Sequence, residues 1–201
     1  MNDKTFEVKF KRRQQGKTNY TKRLSSVKSG KIRIVVRKTN KQIIAHAVKF
    51  NPKGDETLAQ ATSKELDQFG FYGTNNTPSA YLTGLLLGKR MTEKEAILDI
   101  GRQSPSHGSV VFACLKGIVD AGVTIPHNAK AIPSDERING SILDAYAKEN
   151  KDKFGNYEKK NGLEIAKNFA KAKEQVEKQG PVSSKKAKKD VAHKDGGKTK
   201  W

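Results

Sequence analysis

The sequence predicts an α/β fold: a mixed β-sheet, built as an antiparallel meander followed by strand-helix units, with helices packed on it. A basic N-terminal arm precedes the sheet and a helical, lysine-rich extension follows it. Three observations lead there. β-branched or alternating segments separated by short turns fall at residues 32–37, 42–50 and 56–62. Helical stripes of apolar residues begin near residue 77 and recur to residue 178. Charge is divided unevenly: residues 1–41 hold 14 Lys and Arg against 2 Asp and Glu, a net of +12, and residues 171–201 hold 10 against 4, a net of +6. The 129 residues between them are nearly neutral, at +1 of a total of +19, so only the middle is suited to an ordinary core.

The elements follow in order. Phe6, Val8 and Phe10 alternate with Glu7 and Lys9, which predicts a short extended start whose apolar side docks on something. From Lys11 to Lys31 there are few apolar residues, no sustained period and glycines at Gly16 and Gly30, so the segment reads as an arm shaped by its partner, with room for a short helix around Tyr20–Val27. The three strands come next, the turn Asn51-Pro52-Lys53-Gly54-Asp55 joining the last two, and Ser63 is placed to cap a short helix through Phe69. Thr77 is the N-cap expected for a helix to about Met91, with Pro78 at its first position; Gly84 and Gly88 leave a flat strip for close packing on the sheet. A strand Ala96–Ile100, a loop Gly101–Gly108 and a helix Ser109–Ala121 ended by Gly122 follow, then a short strand Val123–Ile125, and this order implies helices on the faces of the sheet. Two further helices are predicted at Ser134–Glu149 and Gly162–Lys178. The second carries an Ile165, Phe169, Ala172, Val176 stripe that needs a surface to cover it, and an Asn161/Glu164 pair resembling a capping box. The chain thus divides into an arm at 1–31, an α/β core at 32–126, a helical part at 127–180 packed on the core or on RNA, and a flexible lysine-rich tail at 181–201.

Several function classes are disfavoured. No run of ~18 apolar residues occurs, the start lacks a secretory apolar centre, and a cytoplasmic location is expected. Cys114 is alone, and the four histidines show no helical i,i+4 pairing or cysteine partners, so neither a disulfide nor a metal site is expected. Gly84-Leu85-Leu86-Leu87-Gly88-Lys89-Arg90 is one residue short of a phosphate loop and lacks its Ser/Thr. The loop Gln103–Ser109 follows a strand and opens a helix, where Ser106, His107 and Ser109 could make minor RNA contacts, but a structural turn is the favoured reading. No cofactor and no small-molecule substrate is expected.

The strongest local signal is the run from Lys11 to Arg23: Lys11, Arg12, Arg13, Lys17, Lys22 and Arg23 offer forks and point charges for phosphate, Thr18 and Asn19 short hydrogen-bonding groups, Gly16 a close backbone approach, and Tyr20 a stacking face. A second cluster, Arg33, Arg37, Lys38, Asn40 and Lys41, lies on the first strand and its hairpin. If Ile32, Ile34 and Val36 face the core, Arg33 and Arg37 project together from the other side. Lys9 and Lys31 extend the same charge at either end of the arm.

These blocks carry a resemblance. RRQQGKTNYTKRL, VRKTNKQIIAHAV, TPSAYLTGLLLGKR, and LDIG with GSVVFACLKGIVDAGVTIPHN resemble, in order from about Lys9 to Tyr146, the archaeal and eukaryotic branch of the large-subunit ribosomal protein family that binds 5S rRNA, called L-eighteen in archaea and bacteria and L-five in eukaryotes. The resemblance implies a two- or three-layer domain of ribonuclease-H-like topology without nuclease function. It also implies binding to 5S rRNA in the central protuberance, next to 23S rRNA and neighbouring large-subunit ribosomal proteins. By motif match the arm's RNA contacts fall on Lys11, Arg12, Arg13, Gly16, Lys17, Thr18, Asn19, Tyr20 and Arg23, and on Arg37, Thr39, Asn40 and Lys41. Gln14 and Gln15 stand where the family more often has an Arg-Glu pair, and Asn19 where it often has Asp.

Two rivals remain. An α/β RNA-processing enzyme would need acids gathered at strand ends to hold Mg²⁺, and Asp99 is the sole acid of the central strand reading. A DNA-compacting protein would use the same lysine tail on a duplex.

Overall fold

The structure is a computed structural model that describes residues 8–157 and 164–179. The tail at 181–201, Phe6 of the extended start and Asn161 of the expected capping box lie outside the described residues. The meander forms as predicted, with β1 (Ile32–Lys38), β2 (Ile43–Lys49) and β3 (Glu56–Thr62) antiparallel, and β4 (Ala96–Asp99) joins β1 in parallel. The strand order is therefore β3-β2-β1-β4 and the sheet is mixed. Side-chain alternation puts Ile34 and Val36 of β1, Ala45 and Ala47 of β2 and Ala61 of β3 on one face, all fully buried.

That face alone carries the core helices. α3 (Thr77–Arg90) and α4 (Val110–Asp120) both lie on it, α3 over β2 and β3 and α4 over β1. Helices on both faces were expected; the opposite face instead presents Arg33, Val35, Arg37, Ile44 and His46, too polar to seat a second apolar helix. The glycine strip of α3 serves a different purpose from the one its spacing suggested, for it faces α4 and not the sheet. A Cβ at Gly84 would lie 2.0 Å from the Cys114 carbonyl oxygen, and one at Gly117 of α4 would lie 2.1 Å from the Tyr81 carbonyl oxygen. Each helix supplies a glycine where the other's backbone approaches. Cys114 is buried at this contact, and burial pushes its thiol up to about 12.

Two predicted caps move, and one predicted strand shortens. Thr62, not Ser63, starts the 3-10 helix Ser63–Phe69, through a capping box with Glu65; Ser63 instead accepts the Ile43 N–H at 3.1 Å and ties the helix to β2. Asn76, not Thr77, caps α3, accepting the Ser79 N–H at 3.0 Å, because its short amide reaches the first turn while Thr77 is already helical. The expected strand at Val123–Ile125 shrinks to one bridge, Glu95 with Thr124, and Pro126 supplies no donor to prolong it.

The C-terminal part is also rearranged. Gly140, at φ +83°, breaks the single helix predicted over Ser134–Glu149 into α5 (Asp135–Asn139) and α6 (Ser141–Glu149). α7 (Ile165–Glu177) buries Ile165, Phe169, Ala172 and Val176, so the stripe that needed covering is covered by the protein's own core: the Phe169 ring lies 5.6 Å from Tyr81 and 6.4 Å from Phe71. Its first turn is capped from a distance, with the Ile165 and Ala166 N–H groups donating to the Asp144 carboxylate of α6 at 2.7 and 3.0 Å. Among the described residues no helix is long and apolar enough to cross a membrane.

Candidate nucleic-acid interface

The arm is built from short pieces. α1 (Lys11–Gln14) is a single turn, after which Gly16 takes φ +65° and turns the chain. Arg12 Nε donates to Thr18 Oγ1 at 2.9 Å across that turn. α2 (Tyr20–Lys28) then starts on Asn19, whose Oδ1 accepts the Lys22 N–H at 3.1 Å. A nine-residue helix with no buried residue and no acidic first turn is marginal alone. An ion pair holds it to the domain: Arg23 Nη2 reaches Asp55 Oδ2, in the β2–β3 turn, at 2.9 Å.

Asp55 is also the partner of Arg33. Arg33 Nη2 meets the same Asp55 oxygen at 2.6 Å and Arg33 Nη1 meets Asp99 Oδ2 at 3.2 Å, while Arg37 Nη2 reaches Asp99 Oδ1 at 3.3 Å. The result is an alternating chain, Arg23, Asp55, Arg33, Asp99, Arg37, running from the arm across the open face of the sheet. Arg33 and Arg37 do leave β1 on the same side, as the alternation requires. Arg33, however, does not project: its side chain is 3% exposed against 43% for Arg37. Its charge is satisfied inside the protein, between two half-buried carboxylates that the arm's Arg23 and the strand's Arg37 share with it. Asp99, the acid an RNA-processing site would have needed, is taken by two arginines, and among the described residues no group of three or more His, Cys, Asp or Glu could hold a metal ion.

The remaining sequence-selected residues divide by exposure. Lys9, Lys11, Arg13, Lys17, Lys22, Lys38 and Lys41 are exposed, and none forms an ion pair with a described residue. Arg12 and Asn19 are exposed and shape the arm as above, and Lys31 pairs with Glu95 at 2.9 Å in solvent, where such a pair contributes little. Thr39, Asn40 and Lys41 form the tip of the β1–β2 hairpin; Thr39 Oγ1 donates to the Gln42 carbonyl. Asn75 Nδ2 braces that tip by donating to the Thr39 and Asn40 carbonyls at 3.0 and 2.8 Å. The loop Gln103–Ser109 is pinned as a turn, with Gly108 N–H donating to the Ala131 carbonyl at 2.9 Å, and the glycine-lysine look-alike lies within buried α3.

Three residues escaped the sequence reading. Arg102, first after the β4 turn glycine, lies against the arm: its Nη1 is 3.0 Å from where a Gly16 Cβ would be, so the close approach that Gly16 permits is used by the protein itself. Phe10, read only as one of the docking apolar residues, is 70% exposed and packs its ring 5.2 Å from that of Tyr20. Asn75 stands in a short polar stretch before α3, with nothing in its neighbours to mark it as a brace for a hairpin 35 residues away. Arg102 carried no local signal, since the loop reading concerned the residues after it.

An arm and hairpin studded with cations that form no ion pair with a described residue, set on an α/β domain whose open-face carboxylates Asp55 and Asp99 are already paired, defines a basic protein suited to a large polyanion. Sequence comparison identifies which kind. A family model described as "Ribosomal large subunit proteins 60S L5, and 50S L18" matches residues 4–97 and 93–128. The "Large ribosomal subunit protein uL18" of Korarchaeum cryptofilum (strain OPF8) is 47% identical over 146 residues, 71% of this chain and 75% of that protein. The protein of the same name from Methanosphaera stadtmanae is 48% identical over 162 residues, 76% of this chain and 84% of its own. The chain belongs to this family of large-subunit ribosomal proteins, a structural family and not one of enzymes.

Proposed function

We propose that the protein binds 5S rRNA and helps attach it to 23S rRNA in the central protuberance of the large ribosomal subunit, beside neighbouring ribosomal proteins. The observation that carries this reading is the set of exposed cations at Lys9, Lys11, Arg13, Lys17, Lys22, Lys38 and Lys41, none in an ion pair with a described residue, which lines the arm and the hairpin tip of a chain in this family. Arg12, Gly16, Thr18, Asn19 and Arg23 shape the arm, Tyr20 offers it a ring, and Arg37, Thr39 and Asn40 continue the surface onto the sheet with Lys31 at the junction. Arg33 acts through Asp55 and Asp99 as a positioning residue. In this reading residues 1–31 work as the RNA-binding arm, 32–126 as the core that orients it, 127–180 as a buttress and 181–201 as a second basic segment. The meander, the parallel fourth strand and the helices on one face are compatible with a ribonuclease-H-like topology, used here as a scaffold.

Backbone binding has a measurable signature. The affinity for 5S rRNA falls with salt along a log-log slope of roughly −0.7 to −0.9 per neutralised phosphate. Replacing Lys11, Arg13 and Lys17 together by Gln reduces the magnitude of that slope by roughly 2 to 3. An unchanged slope in the triple variant overturns the assignment of the arm.

A further inference from the structure

We infer that the cleft between α1, the start of α2 and the turn after β4 is a subsite for one unpaired nucleotide of the RNA, with its phosphate among Arg13, Lys22 and Arg102 and its base or ribose against the Phe10–Tyr20 pair. The inference rests on the RNA-binding reading above and extends it in two ways. It makes part of the contact a grip on an unstacked nucleotide and not on duplex backbone alone, and it brings in a residue from the folded domain, Arg102.

Size, charge and surface all converge on this cleft. Its volume is about 390 Å³, and Arg13, Thr18, Asn19, Tyr20, Lys22 and Arg102 are among the residues that line it. Pockets for small ligands span roughly 300–1,000 Å³, so the cleft has room for a group the size of one nucleotide. The three cations come from α1, from α2 and from the loop after β4, and none forms an ion pair with a described residue. The positive potential belongs to these side chains and not to the helix end, because Asn19 already caps α2.

The cleft is also set in advance. Arg12 holds Thr18 at 2.9 Å, and Gly16, at φ +65° and without a Cβ, lets the Arg102 guanidinium lie over the arm's turn. A guanidinium already placed over the turn needs little rearrangement to meet a phosphate. Phe10 is the remaining clue. An aromatic ring 70% exposed and tilted at 53° to Tyr20, amid cations, leaves most of its surface open, and an unstacked base offers it a flat face.

The test uses the full chain and 5S rRNA at ~0.15 M salt. Arg102→Met lowers affinity about fivefold and makes the salt slope less steep by roughly 0.7 to 0.9, the loss of one phosphate contact. Tyr20→Leu lowers affinity roughly tenfold, and Tyr20→Phe restores most of that loss, as stacking requires. Ultraviolet cross-linking joins the segment Phe10–Lys22 to a nucleotide that is unpaired in 5S rRNA. If Arg102→Met and Tyr20→Leu bind as the parent does while Arg12→Met is weakened, or if the cross-link maps to paired nucleotides, the subsite is refuted and RNA binding by the arm stands. If the unsubstituted chain does not bind 5S rRNA, the underlying reading fails and the subsite with it.

Discussion

Arg33 and Asp55 meet at 2.6 Å on the open face of the sheet, and Asp55 uses the same oxygen to hold Arg23 of the arm at 2.9 Å. One carboxylate therefore joins the arm helix to the second residue of β1. The pairing makes the orientation of the arm a property of the folded core, where charge alone would leave it free to sample many directions.

Asp55→Asn separates this account from simple charge counting. Removing a negative charge from a basic protein should strengthen its hold on a polyanion. If Asp55 orients the arm, the substitution weakens the hold instead, by a few-fold, as the ordering of α2 is transferred to the binding step. Affinity for 5S rRNA, compared in parent and variant at one salt concentration, decides between the two signs.

The contact between α3 and α4 gives a stability prediction. Gly84→Ala and Gly117→Ala each drive a methyl group into a carbonyl oxygen, at 2.0 and 2.1 Å before relaxation. Each is expected to destabilise by about 2–3 kcal/mol, the upper range for overpacking, as measured by urea unfolding. Gly155→Ala, where a Cβ meets nothing within 4 Å, serves as the comparison and should change stability by no more than about 0.5 kcal/mol.

Asp144 caps a helix from another helix, which is why its loss should be felt beyond α6. Asp144→Ala leaves the Ile165 and Ala166 N–H groups without their acceptor and is expected to cost about 1–2 kcal/mol. Hydrogen exchange should quicken first at the start of α7. A uniform loss of protection across the sheet would argue against a local cap.

His46 supplies the pH dependence. It stands on the open face of β2, its Nε2 is buried without a hydrogen-bond partner among the described residues, and its pKa is lowered from 6.5 first by burial and then by Arg37. Between the lowered folded value and 6.5 the unfolded chain binds the proton more readily, so this contribution to stability is full above 6.5 and is lost as pH falls below it. Melting temperature should therefore drop less between pH 7.5 and 5.5 in His46→Gln than in the parent. Equal drops would remove His46 from the account.

How much of this the sequence disclosed depends on the range of the interaction involved. The meander was legible because alternation at Ile34, Val36, Ala45 and Ala47 is a local pattern, and the α7 stripe because a period of 3.6 is local too. The caps shifted by one residue, Asn76 for Thr77 and Thr62 for Ser63, since neighbouring short polar side chains compete for the same N–H and only the backbone geometry chooses. What could not be read was contact between distant segments. Arg33 looked like an exposed cation until Asp55 and Asp99, 22 and 66 residues away, enclosed it, and Arg102 had no reason to be near Gly16 until β4 paired with β1.

The measurement that bears most directly on the central claim is competition: the full chain bound to labelled 5S rRNA at ~0.15 M salt, challenged with unlabelled 5S rRNA or with an unrelated RNA of the same length. The account predicts that the unrelated RNA must be supplied in at least about a thousandfold excess to displace half of the label, the low end of the separation between specific and non-specific nucleic-acid binding. Displacement at equal concentrations of the two competitors would contradict it, leaving a basic arm that grips any RNA.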